Sequence, residues 1–402
     1  NTTGERKPGS QLIQVTVDDT LLNEKLSKEE DNTVISILID NQENFEFTGI
    51  TGQTIKNMEL RDATLEINTG LGSYSIPAKL FNIDEIKRII GKNIALSDIQ
   101  VNVKISRVEE IVTEPIEDAL SKAELSIVSP PVEFSIECSY GNKRIKIDKF
   151  SAPVNRTIAI PDEVDPEDVT TAILLEPDGT IRHTATRIIE ADGNFYAMLT
   201  SFTSGTYILV NNNIEFKDVK NHWSKEYVNE MGSRLIVNGV GNGIFNPEND
   251  ITRAELAVMI IRALGIKASG ESEKFTDVAE GFWYSEAINA AREYGIITGY
   301  TDNTFRPIQK VTREESIAMI SRAMRLLGIE NNITEVETQQ YLQVFEDGNS
   351  FTAWSRKDAA YAVKHKIILG SGGKLMPHNN IKRAEAAAII LRMLRASGLI
   401  TE

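Results

Sequence analysis

The stretch Thr252-Arg253-Ala254-Glu255 opens a helical pattern and occurs three times along the chain. It returns as Thr312-Arg313-Glu314-Glu315 and as Lys382-Arg383-Ala384-Glu385. Each copy precedes a run with Leu, Ile, Val, Met or Ala at helical spacing, and a glycine stands just beyond each run. The runs are Leu256–Leu264, Ser316–Leu327 and Ala386–Leu394. The pattern predicts three copies of one helix.

The first residues of these helices have the pattern of a capping box. A Thr hydroxyl at the cap position and a Glu three residues later satisfy backbone N–H groups that the first helical turn leaves unpaired. Glu255 and Glu315 are therefore interpreted as structural residues. In the third copy, Lys382 replaces the capping Thr.

The arginine that follows each cap needs a different explanation. A cation in the first turn faces the positive end of the helix dipole, which is unfavourable by about 0.3 kcal/mol or more. Two interpretations stay open. Free N–H groups, the dipole and a guanidinium could together receive a carboxylate or phosphate. Alternatively, each arginine pairs with an acidic residue of the neighbouring repeat.

The similarity between copies extends over a repeat of about 60 to 70 residues. Upstream of each Arg helix lie a Phe-x-Asp segment and then a tryptophan, and the chain has three tryptophans in all. A second helical pattern follows each tryptophan, and a loop of the type G-x-x-x-F-x-P connects it to the Arg helix. One repeat is thus predicted as helix, loop and helix.

In these motifs, residues 215–402 resemble three consecutive S-layer homology motifs, at 215–270, 274–330 and 344–400. The resemblance implies an all-α pseudo-threefold bundle with grooves between neighbouring motifs. It also implies that these grooves bind secondary cell wall polysaccharide, an anionic glycan that often carries pyruvate. The residues that the resemblance assigns to the glycan are Arg253, Arg313 and Arg383 for a carboxylate, Trp223, Trp283 and Trp354 for sugar faces, and Asp218, Asp277 and Asp347 for hydroxyls.

Two of these residue types also have structural interpretations. A tryptophan at the start of a helix is as typical of a core as of a ligand wall. The aspartates could be turn or cap residues. The third repeat departs from the pattern, with Lys382 at the cap, Leu375 in place of the loop aromatic and a shorter loop. A groove built on this repeat is expected to be the most degenerate.

The first half of the chain is predicted to form two further domains, which makes the whole a multidomain α+β protein. After a flexible lead-in at 1–11, an α+β domain is expected at 12–112, with strands at Leu12–Val17 and Val34–Ile39 and a hairpin around Gly70-Leu71-Gly72. A connector follows at 113–129. An all-β, sandwich-like domain is expected at 130–212, where turn signals separate short strands.

Composition limits the possible functions. The chain has 402 residues and a net charge of −15, with 34 acids against 20 bases in residues 1–210 and 24 against 23 afterwards. No basic stripe suits nucleic acid, and no apolar run is long enough to span a membrane. The single cysteine, Cys138, is expected to be buried. Because the chain begins with Asn1, we expect a mature or excised piece of a longer exported protein.

No catalytic or metal-binding signature is recognisable in the sequence, and no cofactor is expected. The four histidines lack partners at metal-ligand spacing. The favoured hypothesis is a secreted protein of the cell wall or S-layer, anchored non-covalently through the repeats, with surface-layer self-association also possible. The alternative is the C-terminal part of a surface polysaccharide hydrolase of xylanase or pullulanase type.

Overall fold

The computed structural model describes residues 2–6, 12–39, 41–108, 120–121, 125–270, 273–329 and 331–401. Most of the expected connector at 113–129 and most of the lead-in at 1–11 lie outside these residues. The chain divides into two compact units, Asn1–Asn211 and Asn212–Glu402. Among the described residues, no helix is both long and apolar enough to cross a membrane.

The first unit combines a 15-stranded sheet with helices. Its helices are α1 (Asp19–Lys28), α2 (Gly52–Glu59) and α3 (Ile83–Ile90). Its strands are β1 (Thr2–Arg6), β2 (Leu12–Val17), β3 (Val34–Ile39), β4 (Asn44–Thr51), β5 (Thr64–Thr69), β6 (Gly72–Pro77), β7 (Gln100–Arg107), β8 (Ser126–Ile127), β9 (Val132–Tyr140), β10 (Lys143–Lys146), β11 (Lys149–Ala159), β12 (Thr171–Leu175), β13 (Ile181–Ala191), β14 (Asn194–Thr203) and β15 (Gly205–Asn211).

The strands follow the order β1-β2-β4-β7-β9-β15-β12-β13-β14-β11-β6-β5-β3, with β10 beside β9 and β8 beside β15. The pairs β2–β4 and β3–β5 are parallel, whereas the other pairs are antiparallel. The long strand β13 pairs with β12 through its first residues and with β14 through its last. The sheet therefore curls, and its inward side chains form one core.

The two domains expected in this half are joined into one unit, which differs from the sequence-based division at 112 and 130. Strand β7 pairs with β9, and β6 pairs with β11, so the sheet crosses the expected boundary twice. Part of the expected lead-in, Thr2–Arg6, is the edge strand β1. Strand partners far apart in sequence leave no local signal, which explains the difference.

Close backbone approach at one of these joints requires a glycine. Gly72 has φ +143°, and a Cβ there would lie 1.9 Å from the carbonyl oxygen of Thr157 on β11. Any other residue would force β6 and β11 apart. The glycine that marks the hairpin in the sequence thus also permits the joint between the two expected domains.

A buried arginine lies where four strands of the two expected domains meet. The guanidinium of Arg156 on β11 is fully buried and lies 5.0, 5.7 and 4.6 Å from the ring centroids of Tyr74, Phe134 and Tyr207. It also donates a hydrogen bond to the hydroxyl of Tyr207. Cation–π contacts of this kind gain strength when water is excluded. The cluster therefore ties β6, β9, β11 and β15 together.

The second unit consists of helices and loops. Its helices are α4 (Lys225–Ser233), α5 (Arg253–Leu264), α6 (Ser285–Glu293), α7 (Arg313–Leu326), α8 (Glu335–Leu342), α9 (Arg356–Lys364) and α10 (Arg383–Ala396). The long Arg helices α5, α7 and α10 are buried over most of their length and contact one another. Each also packs on a Trp helix of another repeat, in the pairs α5–α6, α7–α9 and α10–α4. Helix α8 was not expected from the sequence.

We predict that Phe134→Ala destabilises the first unit by about 3–5 kcal/mol, because it removes a fully buried ring from the Arg156 cluster. Phe195→Ala is the matched control, since Phe195 is 40% exposed in the same unit. All three tryptophans lie in the second unit. Calorimetry should therefore show a lowered transition for Phe134→Ala while the unfolding seen by tryptophan fluorescence stays in place. Equal effects of the two variants would contradict the claim that the Arg156 cluster stabilises the first unit.

Candidate functional site

The three predicted aspartates hold the loops of their own repeats. The carboxylate of Asp218 accepts hydrogen bonds from the N–H groups of Phe245 and Asn246, at 2.9 and 2.7 Å. The same double contact joins Asp277 to Phe305 and Arg306, and Asp347 to Leu375 and Met376. The second residue of each pair has a positive φ, 54–60°, which costs energy outside glycine. Each aspartate therefore supports a strained loop.

The arginines pair with glutamates of another repeat, which is the second of the two interpretations left open by the sequence. Nη1 of Arg253 donates to Oε1 of Glu315 at 2.9 Å, and Nη1 of Arg383 donates to Oε1 of Glu255 at 2.8 Å. Arg313 pairs with Glu385 in the same way. The three pairs lead from the first repeat to the second, from the second to the third and from the third back to the first. We call this set the arginine ring.

Each arginine also holds a loop of the repeat with which it pairs. Nε of Arg253 donates to the carbonyl of Phe305 at 2.9 Å. Nε of Arg313 and of Arg383 donate in the same way to Leu375 and Phe245, at 2.7 and 3.0 Å. The guanidinium groups are therefore largely buried, with 7–9% of each arginine exposed. The paired glutamates balance the charge of these guanidinium groups.

The N–H groups at the starts of the long helices are not free, which corrects the idea that they could receive an anion directly. The N–H groups of Arg253 and Ala254 donate to the carbonyls of Gln309 and Pro307, at 2.9 and 3.0 Å. The first two N–H groups of the other two helices donate in the same way, to the carbonyls of Asn379 and Pro377 and to those of Asn249 and Pro247. The loop of the next repeat thus caps each helix.

The glutamates serve both contacts at once. Oε2 of Glu255 accepts from the N–H and the hydroxyl of Thr252, both at 2.8 Å, and Glu315 does the same for Thr312. This confirms the predicted capping boxes. In the third repeat, Lys382 keeps only the backbone bond, at 2.9 Å to Glu385, and its Nζ pairs with Asp250 of the first repeat at 2.7 Å. That pair raises the pKa of Lys382.

The tryptophans lie at the surface, which excludes the core interpretation for them. Trp223, Trp283 and Trp354 are 55, 63 and 54% exposed. The loop aromatics Phe245 and Phe305 fill the core instead and are fully buried. The exposed indoles are therefore accessible to a ligand, since an indole combines an apolar face with an N–H donor.

Two grooves contain residues from all three repeats. The first groove, of about 380 Å³, is lined by Trp223 of the first repeat, Arg313 of the second, and the loop and long helix of the third. The second groove, of about 360 Å³, is lined by Arg253 of the first repeat, the loop and long helix of the second, and Trp354 of the third. The grooves therefore depend on the closed arginine ring.

The first groove is built on the loop and helix of the third repeat, yet it is as large as the second. The expected degeneracy of this repeat therefore does not remove the cavity. At the third equivalent position, Nη2 of Arg383 donates to the carbonyl of Asn238 at 3.2 Å. No such bond occupies Nη2 of Arg253 or Arg313 among the described residues.

A second series of arginines was missed by the sequence analysis. Arg262, Arg322 and Arg392 stand nine residues after the arginines of the ring, and the last two line the second and first grooves. Burial lowers the pKa of Arg262 and of Arg322. Arg392 donates to the hydroxyl of Tyr227 at 3.1 Å. The recurrence of this arginine series in all three repeats, at one spacing, was the signal that could have identified the series.

The described residues contain no group of three or more His, Cys, Asp or Glu side chains that could hold a metal ion. Cys138 is buried, as expected, and burial raises the pKa of its thiol to about 12. Glu314 on α7 joins this helix to the start of α9. Burial alone would raise its pKa, but hydrogen bonds from Thr352 and Ser355 hold the pKa below its usual value.

Repeats that complete one another in this way define a closed tandem-repeat domain. The family comparison gives these repeats a name. Residues 215–257, 274–315 and 344–387 match the S-layer homology domain, so the chain carries three tandem S-layer homology motifs.

Several proteins of known description are similar to the chain. An amylopullulanase of Thermoanaerobacterium thermosulfurigenes is 34% identical over 62% of this chain and 13% of its own length. A surface-layer 125 kDa protein of Lysinibacillus sphaericus is 32% identical over 43% of this chain and 14% of its own. A cellulosome-anchoring protein of Acetivibrio thermocellus is 33% identical over 40% of this chain and 36% of its own. The chain thus spans a minor part of each relative. The matches support a location at the cell wall or S-layer.

We predict that Arg313→Ala destabilises the second unit by about 1.5–3 kcal/mol, because it leaves Oε1 of Glu385 and the Leu375 carbonyl without a donor. Arg325→Ala on the same helix is the control, since its pair with Asp358 is partly exposed and worth about 0–1 kcal/mol. Urea unfolding followed by tryptophan fluorescence measures both. Similar losses would mean that the ring contributes no more than a surface ion pair.

We also predict an acid-dependent loss of stability in the second unit. Because the pKa of Glu314 is lower in the folded chain than in the unfolded chain, its contribution is complete above the ordinary value of 4.5 and is lost as the pH falls below it. Glu314→Gln should therefore unfold earlier at neutral pH and show a weaker pH dependence below about pH 4.5. If the melting temperatures of the wild-type chain and of Glu314→Gln fall by the same amount between neutral and acidic pH, the assignment to Glu314 is wrong.

Proposed function

We propose that the second unit anchors the protein non-covalently to a bacterial cell wall by binding an anionic, pyruvylated secondary wall polysaccharide in its grooves. The S-layer homology motifs support surface anchoring and the binding of a cell wall polymer. The finer assignment rests on one observation. Each groove combines an exposed tryptophan with an arginine that comes from a different repeat.

The architecture that we propose for this unit is a pseudo-threefold bundle of α5, α7 and α10. Three features support it. The long helices contact one another, and the arginine ring closes in cyclic order. A ring of backbone hydrogen bonds also joins the segments before these helices. The N–H of Ile251 donates to the carbonyl of Ile381, that of Ile381 to Val311, and that of Val311 to Ile251. This arrangement repeats one contact three times.

The chemistry of the grooves suits an acidic sugar. An indole face packs on the apolar face of a sugar ring, as aromatic rings do on ligands that are partly apolar. A guanidinium recognises a carboxylate through charge-assisted hydrogen bonds. Although Nε and Nη1 of Arg253 and Arg313 are engaged, Nη2 has no partner among the described residues and would donate to the ligand. Arg322 adds a second cation to the groove of Arg253, and Lys382 and Arg392 add two more to the groove of Arg313.

The three positions differ in this proposal. Nη2 of Arg383 already donates to the Asn238 carbonyl, so a ligand carboxylate would have to displace that bond. We therefore assign the glycan to the grooves of Trp223 with Arg313 and of Trp354 with Arg253. Trp283 and Arg383 form the weakest position. The aspartates shape the loops, and direct contact of Asp218, Asp277 or Asp347 with a sugar hydroxyl stays a prediction.

The test is calorimetric binding of the full chain to purified wall polysaccharide, before and after chemical removal of pyruvate. We expect removal of pyruvate, Arg253→Ala or Arg313→Ala to weaken binding about tenfold or more, since one charged hydrogen bond is worth about 1.5–3 kcal/mol. Trp223→Ala and Trp354→Ala should weaken it as well. Arg356→Ala, a change outside the grooves, is the control. Undiminished binding after loss of pyruvate would contradict the assignment of the carboxylate.

Folding must be checked for each variant, because Arg253 and Arg313 also belong to the arginine ring. Arg253→Lys and Arg313→Lys keep a cation but lose the fork that reaches both the Glu and the ligand. A variant that keeps its melting temperature but loses binding supports the proposal. A variant that loses binding only in proportion to its unfolded fraction counts against it.

A second candidate function is supported by the length of one match. The alignment with the amylopullulanase covers 254 residues, more than the stretch 215–402 contains, so part of the first unit is shared with that enzyme. This favours the alternative that the chain is the C-terminal part of a surface polysaccharide hydrolase. Sugar release from plant and wall polysaccharides tests whether this chain itself is catalytic. Turnover abolished by one carboxylate change in residues 12–210 would contradict a pure anchor.

A further inference from the structure

Strand β3 ends the described sheet at the side opposite β1. It pairs in parallel with β5, in the register Val34 with Thr64 through Ile39 with Thr69, and with no other described strand. A strand at the end of a sheet has a row of backbone donors and acceptors on its outer side. In proteins that stay monomeric, such a row is usually protected.

The hydrogen bonds show which residues face outward. The N–H of Thr64 donates to the carbonyl of Thr33 at 2.9 Å, so the backbone groups of Thr33 point toward β5. Successive residues of a strand point their backbone groups to opposite sides. The N–H and C=O groups of Val34, Ser36 and Leu38 therefore point away from β5, toward the free edge.

The side chains of the same three residues are exposed and uncharged. Val34 is 51% and Leu38 is 71% exposed, and Ser36 lies between them on the same face. From Thr33 to Ile39 the sequence contains no charged residue and no proline. Lysines, prolines and bulges are the usual means by which proteins block edge pairing, and β3 has none of them.

We propose that β3 pairs with β3 of a second copy of this chain, antiparallel and centred on Ser36. This arrangement is self-complementary, because Val34 of each copy then lies opposite Leu38 of the other. Three outward-facing residues supply the ladder of backbone hydrogen bonds, and two aliphatic pairs cover the most exposed side chains of the strand. A two-fold axis passes through the Ser36 pair, as expected for an isologous contact.

The charge and size of the contact determine its strength. Residues 1–210 carry 34 acids against 20 bases, so two copies repel each other at low ionic strength. The strand itself is uncharged, and added salt removes the repulsion without weakening the apolar pairs. One strand pair buries less than the roughly 1,200 Å² of a stable interface. The contact is therefore weak, dependent on concentration and strengthened by salt, and it does not involve the glycan grooves.

Cysteine cross-linking of the full chain tests the register directly. In the proposed pair the Cα atoms of the two Ser36 residues lie about 5.5 Å apart, within the span of a disulfide. Ser36→Cys should therefore form a disulfide-linked dimer under mild oxidation. Cys138 does not interfere, because it is buried and its thiol has a pKa of about 12.

Two further variants distinguish this pairing from other contacts. In Val34→Cys alone, or in Leu38→Cys alone, the like cysteines would lie about 13 Å apart along the strand, too far to react. A mixture of the two variants should cross-link, because residue 34 of one copy faces residue 38 of the other. Linkage of either variant with itself, or no linkage of the mixture, would overturn the proposed register.

Sedimentation equilibrium measures the association without a cross-link. We expect the wild-type chain to dimerise more tightly as salt is added, and Leu38→Lys to weaken dimerisation about tenfold or more, since it removes two apolar cross-strand pairs. Leu60→Lys is the matched control, because Leu60 is 73% exposed in the same unit but lies outside β3. A chain that stays monomeric at all concentrations, or equal effects of the two lysines, would overturn the proposal.

Discussion

The second unit depends on an exchange between repeats. No repeat completes the start of its own long helix, because the first N–H groups of that helix donate to carbonyls in the loop of another repeat. A buried N–H without a partner costs about 1–3 kcal/mol. One repeat alone lacks the carbonyls to which the first two N–H groups of its long helix donate. Three repeats close the exchange into a ring, and each then has its loop, its helix cap and its arginine satisfied by a neighbour.

The arginine ring also explains a charge that is unfavourable at the start of a helix. Each guanidinium faces the positive end of its own helix dipole but pairs with a glutamate and a carbonyl of the next repeat. The glutamate is fixed by its capping box, so the same carboxylate closes a helix and holds two repeats together. The grooves follow from this geometry, because it brings one repeat's tryptophan beside the arginine of a second and the loop of a third.

Local features of the sequence predicted local features of the structure. The capping boxes of Thr252 and Thr312, the helices after each tryptophan and the hairpin around Gly70-Leu71-Gly72 follow from propensities and contacts within a few residues. Contacts that join distant residues were not predictable. The pairing of β7 with β9 and the choice between an external anion and a neighbouring Glu for Arg253 both depend on how remote segments come together. Strand β3 has the same limit, since an uncharged edge cannot be recognised until the strand order is known.

We propose that the arginine ring leaves Nη2 of Arg253 and of Arg313 open to a ligand, whereas Nη2 of Arg383 is already bound to the Asn238 carbonyl. The most direct measurement is the number of short pyruvylated wall fragments that one chain binds at saturation, determined by calorimetry on the full chain. We expect two, because Nη2 of Arg253 and of Arg313 is available and Nη2 of Arg383 already donates to the Asn238 carbonyl. Three equivalent sites, or two sites that survive in a chain with both Arg253→Lys and Arg313→Lys, would contradict it.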